Sequence, residues 1–365
     1  MIEEKYYWLA LNMVSGIGRT LYHRLISHFQ SPKYVFQASP PELLQVDGVG
    51  DRLVKNILTF DVEKAIHQEK KLIELNKVSV LTFRDALYPE NLKKIFDPPP
   101  VLYFKGSILK TDSIAVAIVG ARAPTRYGNY AAEKISTELA ERGVAIVSGM
   151  ASGIDSIAHR SAISAKGRTI AILGCGVNIT YPRENNSLKA KIQENGAIIS
   201  EFPLNAKPER ANFPMRNRII SGLSLGVIII EAAEKSGALI TSDFALEQGK
   251  EVFAVPGSIN SPKSKGPNRL IKMGAKLIEN ADDVIEEFPH NIKMSFKQIP
   301  KEETEVSSLS ADEKKIYYLI SEEESHIDTL IQESQFPSQK VSALLIQLEL
   351  KGIIKQQSGK MFVVN

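Results

Sequence analysis

Cysteine and long apolar runs are the two features that the sequence most clearly lacks. Cys175 is the single cysteine among 365 residues, so neither an intramolecular disulfide nor a cysteine-based zinc site can form. No stretch of about 18 uninterrupted apolar residues occurs, and we expect no membrane span. The N-terminus, MIEEKYYW, begins acidic and predicts an amphipathic helix rather than a signal peptide. These absences together predict a cytoplasmic protein.

Motifs for ATP use and for hydrolysis are also absent. The chain has no G-x-x-x-x-G-K-[ST] loop, and Ser152 of GMASG lies one position too late for a G-x-S-x-G elbow. Asp155 and His159 share a helix face, but a first-turn aspartate and a structural histidine explain that pair more simply. No cluster of His, Asp and Glu has metal-ligand spacing. We expect neither a cofactor nor enzymatic activity.

Four zones of different hydrophobic pattern divide the chain. Residues 1–81 are predicted to be helical, and residues 82–288 to alternate strands and helices. Residues 289–308 are polar and unpatterned, which is typical of a linker. Residues 309–365 follow the order helix, helix, turn, helix, hairpin, which predicts a winged helix.

The second zone carries the fold prediction. Short β-branched runs without alternation, spaced by helices, indicate a parallel sheet covered on both faces. We therefore predict a doubly wound, Rossmann-like α/β core. The runs are residues 115–119, 144–147, 169–173, 197–200, 227–230, 252–255 and 275–278.

Each terminal zone leaves a choice open. Residues 14–29 and 46–58 match a helix-hairpin-helix pattern, whose glycines either expose N–H groups to a phosphate or serve only as tight turns. Residues 309–365 contain eight acidic and six basic side chains. This balance is unfavourable for phosphate contact and favours a protein-contact or structural role for the winged helix.

Cationic and small residues follow the strands of the predicted sheet. Ligands of such sheets bind at the carboxyl ends of the strands. Residues 207–218 contain four bases and one acid, and residues 263–276 contain five bases and no acid. Arginine binds phosphate in a bidentate manner, so several such loops on one rim predict an extended polyanion as the ligand.

The α/β zone closely resembles the DNA-processing protein A family (DprA, or Smf) over about Tyr88 to Phe288. The motifs are AIVGARAPTRYG, IVSGMASGIDSIAHRSAI, TIAILGCGVNITYPRENNSL, ISEFPL, NFPMRNRIISGLSLGVIIIEAAEKSGALITSDFALEQGKEVFAVPGS and GPNRLIKMGA. The resemblance implies a protein that binds single-stranded DNA, protects incoming strands in natural transformation, dimerises through the α/β domain and loads the RecA recombinase. Both terminal modules are similar to accessory domains of that family.

The resemblance also implies a DNA groove. Its expected members are Arg122, Ser148, Gly149, Arg216, Asn217, Arg218, Ser236, Gly237, Lys263 and Lys265. The strand-end loops add Gly120 and Arg183. Tyr181 and Phe213 are candidate stacking platforms for bases, with core packing as the alternative.

Besides single-stranded DNA binding, the sequence leaves two alternative functions, a nucleotide-binding enzyme and a transcription factor. The same sheet type resembles lysine-decarboxylase-like nucleotide phosphoribohydrolases, which carry a PGGxGT loop. Residues 255–262, VPGSINSP, lack the second glycine and the threonine, and this counts against that enzyme. The segment GCGVNI before Glu201 is only a partial dinucleotide-binding fingerprint. A transcription factor that uses its winged helix is the third hypothesis.

Overall fold

A computed structural model describes residues 3–293, 309–322, 325–351, 353–357 and 359–364. The chain forms two compact units, Met1–Lys297 and Gln298–Asn365. Within the described residues, no helix is both long and apolar enough to cross a membrane.

The first unit contains fifteen α-helices among the described residues. They are α1 Glu4–Met13, α2 Arg19–Phe29, α3 Pro32–Gln37, α4 Pro40–Leu44, α5 Asp51–Leu58, α6 Val62–Leu75, α7 Glu90–Lys93, α8 Arg126–Glu141, α9 Ile154–Ser164, α10 Asn186–Asn195, α11 Asn212–Leu223, α12 Gly237–Glu247, α13 Lys265–Lys272, α14 Ala281–Ile285 and α15 His290–Lys293.

The strands of the first unit form one sheet of nine. They are β1 Ser79–Thr82, β2 Val101–Gly106, β3 Ala115–Val119, β4 Ala145–Ser148, β5 Thr169–Ile172, β6 Gly196–Ser200, β7 Gly226–Ile229, β8 Glu251–Ala254 and β9 Lys276–Leu277.

Helices α1 to α6 form the N-terminal part of this unit. Its core includes Trp8 and Tyr22, whose rings lie 5.7 Å apart, and the Tyr22 hydroxyl donates to the Trp8 carbonyl over 2.9 Å. Gly16 and Gly48 begin the two predicted glycine turns with φ of 95° and 90°. Residues other than glycine rarely adopt this left-handed backbone conformation. The backbone therefore favours glycine at both positions.

The strand order is β1-β2-β6-β5-β4-β3-β7-β8-β9. Strands β3 to β9 run parallel, and the order reverses between β3 and β7. The predicted doubly wound α/β core is thereby confirmed. Buried aliphatic side chains on both sheet faces explain the runs without alternation, because helices cover each face.

One edge of the sheet differs from the all-parallel expectation. Strand β2 pairs antiparallel to β6, and β1 pairs antiparallel to β2. The zone expected to be wholly helical, residues 1–81, therefore ends in an edge strand. The segment SVLT has neither strict alternation nor a continuous apolar run, so its pattern did not reveal this strand.

The second unit is described on its own. Its helices are α16 Ala311–Glu322, α17 Ile327–Ser334 and α18 Ser338–Leu350, and its strands are β10 Ser325–His326, β11 Ile354–Gln357 and β12 Met361–Val364. The strands form one antiparallel sheet in the order β10-β12-β11. Gln335, with φ of 57°, turns the chain between α17 and α18. The predicted winged helix is confirmed, while the predicted linker, residues 289–308, lies largely outside the described residues.

Candidate nucleic-acid interface

A groove of about 600 Å³ lies where the strand order reverses, at the carboxyl ends of β3 and β7. Open α/β sheets bind their ligands at this kind of position. The groove brings together eight residues predicted from the sequence: Gly120, Arg122, Tyr181, Phe213, Arg216, Asn217, Ser236 and Gly237.

Arg216 forms the floor of the groove. Arg216 lies on α11 and is only 5% exposed. Its guanidinium donates to the Gly149 carbonyl over 2.8 Å and to the Ile172 carbonyl, at the ends of β4 and β5. Burial lowers the pKa of Arg216 to about 10, which leaves it cationic at neutral pH. The arginine is therefore a fixed charge below the groove surface.

Asp155 lies beside that charge. Its carboxylate accepts the Gly149 N–H over 3.1 Å and the Ala151 N–H over 3.3 Å. Burial raises the pKa of Asp155, and the Arg216 cation opposes this shift. The turn after β4, with Ser148 and Gly149, was expected to be part of the DNA groove. In the structure, two N–H groups of this turn are bound by Asp155.

Behind this turn, His159 is fully buried. Its Nδ1 lies 2.6 Å from the Thr169 hydroxyl, and burial, followed by the Arg216 charge, lowers its pKa to about 3. The ring therefore stays neutral, as the sequence interpretation of a structural histidine requires.

The loop before α12 closes the groove from the β7 side. Asn217 donates its side-chain amide to the Gly237 carbonyl over 3.2 Å, which ties α11 to the start of α12. The Ser236 hydroxyl accepts the Ala238 N–H and caps α12. Gly237 is exposed and faces open space, so an anion can approach this helix N-terminus closely.

Tyr181 and Phe213 form an aromatic pair at the opposite wall. Their ring centroids lie 5.4 Å apart at 37°, and Tyr181 is 41% exposed. Lys189 supports the loop that carries Tyr181. Its ammonium is buried and donates to the Val177 and Ile179 carbonyls, each over 2.7 Å. The aromatic pair is therefore presented to the groove on a fixed support.

Arg218 points away from the groove and is 1% exposed. Its guanidinium donates to the Asp97 carbonyl over 2.6 Å and pairs with the Glu201 carboxylate. Arg19, from α2, pairs with the same two acids, over 3.2 Å to Asp97 and 3.6 Å to Glu201. This partly buried cluster, Arg19–Asp97–Arg218–Glu201, joins the N-terminal helices to the sheet.

The other predicted residues lie outside the groove lining. The Ser148 hydroxyl is buried and donates to the Ile118 carbonyl over 2.7 Å. The Lys263 ammonium donates to the Ala123 carbonyl and holds the loop after β3. Arg183 and Lys265 are exposed.

Arg210 lines the groove but was missed as a site residue. It lies among the four bases of residues 207–218, and that local excess of positive charge was the available signal. Arg122 and Arg210 are both exposed, and neither has a hydrogen-bond or ion-pair partner in the described part of the chain. The buried Arg216 thus lies beneath two free guanidinium groups.

Known proteins match most of this chain. Protein Smf of Synechocystis sp. is 35% identical over 98% of both chains, and Protein Smf of Escherichia coli is 37% identical over 96% of this chain and 94% of its own. DNA processing protein DprA of Bacillus subtilis is 47% identical over 58% of this chain and 72% of its own. The X-ray structure of DprA from Streptococcus pneumoniae has a TM-score of 0.69 at 32% identity, covering 79% of this chain and 99% of that one.

Family models give the same result. The model described as DNA recombination-mediator protein A matches residues 79–289, and the DprA winged helix domain matches residues 300–360. The chain therefore belongs to the DNA recombination-mediator protein A family, DprA/Smf.

Proposed function

We propose that the groove binds single-stranded DNA and that the protein acts as a recombination mediator without catalysing a reaction. The observation that carries this proposal is the pair of unpartnered, exposed guanidinium groups, Arg122 and Arg210, facing one groove with the Tyr181–Phe213 pair. Cations that grip phosphates and aromatic rings that stack bases are the two components of sequence-tolerant binding to single strands.

In this binding mechanism, some residues contact phosphates, others stack on bases, and Arg216 fixes the geometry of the turns. Arg122 and Arg210 contact phosphates, and the start of α12 at Gly237 adds free N–H donors and a positive helix end. Tyr181 and Phe213 stack one or two bases. Arg216, whose hydrogen bonds go to Gly149 and Ile172, raises the local positive potential and fixes the geometry of the turns.

Arg218, Ser148 and Lys263 take positioning roles in this proposal rather than contacts with DNA. Each gives its polar group to another part of the protein: Arg218 to Asp97 and Glu201, Ser148 to Ile118, and Lys263 to Ala123. Arg183 and Lys265 remain candidates for peripheral phosphate contacts because their side chains are exposed.

A relative supports the choice of ligand. DNA processing protein A of Helicobacter pylori, whose structure has a TM-score of 0.52 and 34% identity over 57% of this chain, is described as binding single-stranded DNA in a unique mode. We extend that ligand to this chain, together with protection of incoming strands, loading of RecA and homodimerisation. The proposed domain limits are residues 1–81, 82–288 and 309–365, joined by a linker.

The acidic and basic groups beneath the groove support a role without catalysis. Asp155 is held by two N–H donors, and His159 is buried away from the surface. Asp155 lines the groove, but it is only 6% exposed and its carboxylate is engaged by two N–H groups, whereas His159 does not reach the groove.

The test is the affinity for fluorescent oligo-dT at several salt concentrations. We expect binding that is tighter for single strands than for duplex and that weakens as salt increases. The double change Arg122→Ala, Arg210→Ala should weaken binding about 10- to 100-fold and reduce the salt slope by about 1.4, at about 0.7 per lost phosphate contact. The unfolding midpoint should stay unchanged, because both side chains are exposed.

Arg160→Ala is the matched control, because Arg160 is an exposed arginine on α9 outside the groove lining. Its affinity should equal that of the unaltered protein. Equal affinity for duplex and single strand would refute the proposal. Release of free base from nucleoside monophosphates would favour the phosphoribohydrolase alternative instead.

A further inference from the structure

Phe96 lies in solvent on the surface of the first unit. Its side chain is 92% exposed, whereas the preceding Ile95 is buried against Gly222 of α11. Single exposed apolar side chains are common in folded proteins, so the exposure of Phe96 indicates a ligand only together with the support and the surroundings of its ring.

The segment around Phe96 is held in place on both sides. The carbonyl of Asp97 accepts from Arg218, that of Pro98 accepts from the His23 ring over 2.7 Å, and that of Pro99 accepts from the Tyr88 hydroxyl over 2.7 Å. These partners come from α11, α2 and the segment before α7. The ring is therefore mounted on a fixed support, which lowers the entropy cost of binding to it.

The topology places this segment on the same edge of the sheet as the groove. Strand β2 is antiparallel to β6, with Tyr103 opposite Ser200, so β2 begins where β6 ends. The residues before Val101, including Phe96, thus lie at the carboxyl edge of the parallel strands. Four strand spacings separate β2 from β3, the nearer strand of the groove, or about 19 Å at about 4.8 Å each.

The surroundings of Phe96 are polar. A second groove, of about 560 Å³, runs between Phe96 and one face of α2, with Thr20, His23, Arg24, Ser27 and His28 on its wall and Gln45 to Asp47 at its end. Apart from Phe96 itself, Val46 is the one apolar side chain in this lining. The one arginine of this lining, Arg24, is paired with Asp47, so the lining offers a ring and polar side chains but no free guanidinium. A lone ring in such a polar lining fits the face of a nucleobase better than the apolar patch of a protein partner.

We propose that Phe96 is a base-stacking platform that extends the path of single-stranded DNA from the β3/β7 groove to the N-terminal helices. This inference rests on the proposed function and adds a second subsite to it. A strand bound at Arg122 and Arg210 runs along the carboxyl edge, past Tyr181 and the Arg19–Asp97–Arg218–Glu201 cluster. One of its bases then stacks on Phe96.

The experiment compares oligo-dT of about 6 and about 16 nucleotides, within the site sizes usual for such proteins. Phe96→Ala should weaken binding of the longer strand about 5- to 20-fold and leave the shorter strand unaffected. The salt slope for both strands should stay the same, because stacking releases no counterion. Phe96→Trp should retain the affinity. Tyr34→Ala is the matched control, since Tyr34 is exposed on α3 outside this groove, and it should bind both strands normally.

Phe96→Trp also gives a direct signal. The chain has one native tryptophan, Trp8, which is buried. Emission from the introduced indole should therefore be quenched by the longer strand and not by the shorter one. Normal binding of the longer strand by Phe96→Ala would overturn the inference and leave the groove proposal intact, and it is the result that a protein-docking role for Phe96 requires. Failure of the unaltered protein to bind either strand would refute the groove proposal itself.

Discussion

Two regions of the first unit combine glycine turns with arginines, but only one of them pairs its arginines with carboxylates. At the β3/β7 groove, Arg122 and Arg210 are exposed and have no partner in the described part of the chain. At the glycine turns of the N-terminal helices, Arg19 pairs with Asp97, and Arg24 pairs with Asp47 over 2.7 Å. A glycine turn followed by arginine is therefore not sufficient to indicate a phosphate site.

The difference lies in the carboxylates. In the groove, the nearby acids are already satisfied. Asp155 accepts N–H groups of its own turn, and Glu231 accepts the Thr125 N–H over 2.9 Å. The guanidinium groups of Arg122 and Arg210 consequently keep unpaired donors among the described residues. The cavity between the N-terminal turns retains one exposed arginine, Arg52.

The largest expected effect in this comparison is the loss of stability when the charge beneath the groove is removed. Arg216→Ala leaves the buried Asp155 without its cation and two carbonyls without a donor, so we expect a loss of about 3–5 kcal/mol in the free energy of unfolding. Chemical denaturation checks this value, and Arg160→Ala should change it by less than about 0.5 kcal/mol. An unchanged stability for Arg216→Ala would mean that Arg216 serves only the ligand.

A smaller effect concerns pH and the wall behind the groove. The pKa of His159 is lowered to about 3 in the folded protein, so the unfolded chain binds more protons between that pKa and the ordinary histidine value of 6.5. Stability is then lost as pH falls below about 6.5. Between pH 7.5 and 5.5 this histidine should account for about 1.4 kcal/mol.

His159→Gln should remove that part of the acid sensitivity, as measured by denaturation at the two pH values. His28→Gln is the matched control, because His28 is exposed on α2. An identical acid loss in the unaltered protein and in His159→Gln would show that the ring titrates without penalty.

The smallest effect tests the N-terminal turns. Arg52→Ala should change the affinity for oligo-dT by less than about twofold, since a single exposed cation adds little without a second one beside it. Fluorescence titration with single strands and with duplex decides the matter. A tenfold loss on either would make these turns a phosphate site and would remove the contrast with the groove.

The doubly wound sheet could be predicted from the sequence because most of its strands are short, largely apolar runs. The groove was placed by a general rule, since residues that follow parallel strands meet at one edge. Arg122 and the Tyr181–Phe213 pair lie where that rule places them.

The sequence could not separate Arg216 from Arg218. Residues two apart on a helix point to opposite sides, so one side chain reaches the groove and the other leaves it. The partner that captures Arg218, Asp97, is 121 residues away in the chain and gives no local signal. The sequence also contained no signal that the Ser148 hydroxyl donates to the carbonyl of Ile118 on the adjacent strand.

The close approach of Gly149 and Arg216 has one more consequence. A Cβ on Gly149 would lie 2.5 Å from Nη2 of Arg216, so the guanidinium fills the space that a side chain at position 149 would need. The two residues are 67 positions apart in the chain, yet the guanidinium of Arg216 packs where a side chain of residue 149 would lie and donates to the carbonyl of Gly149. A substitution of Gly149 would displace Arg216, and a substitution of Arg216 would leave an empty space beside Gly149. A redesign of this turn therefore has to change both positions together.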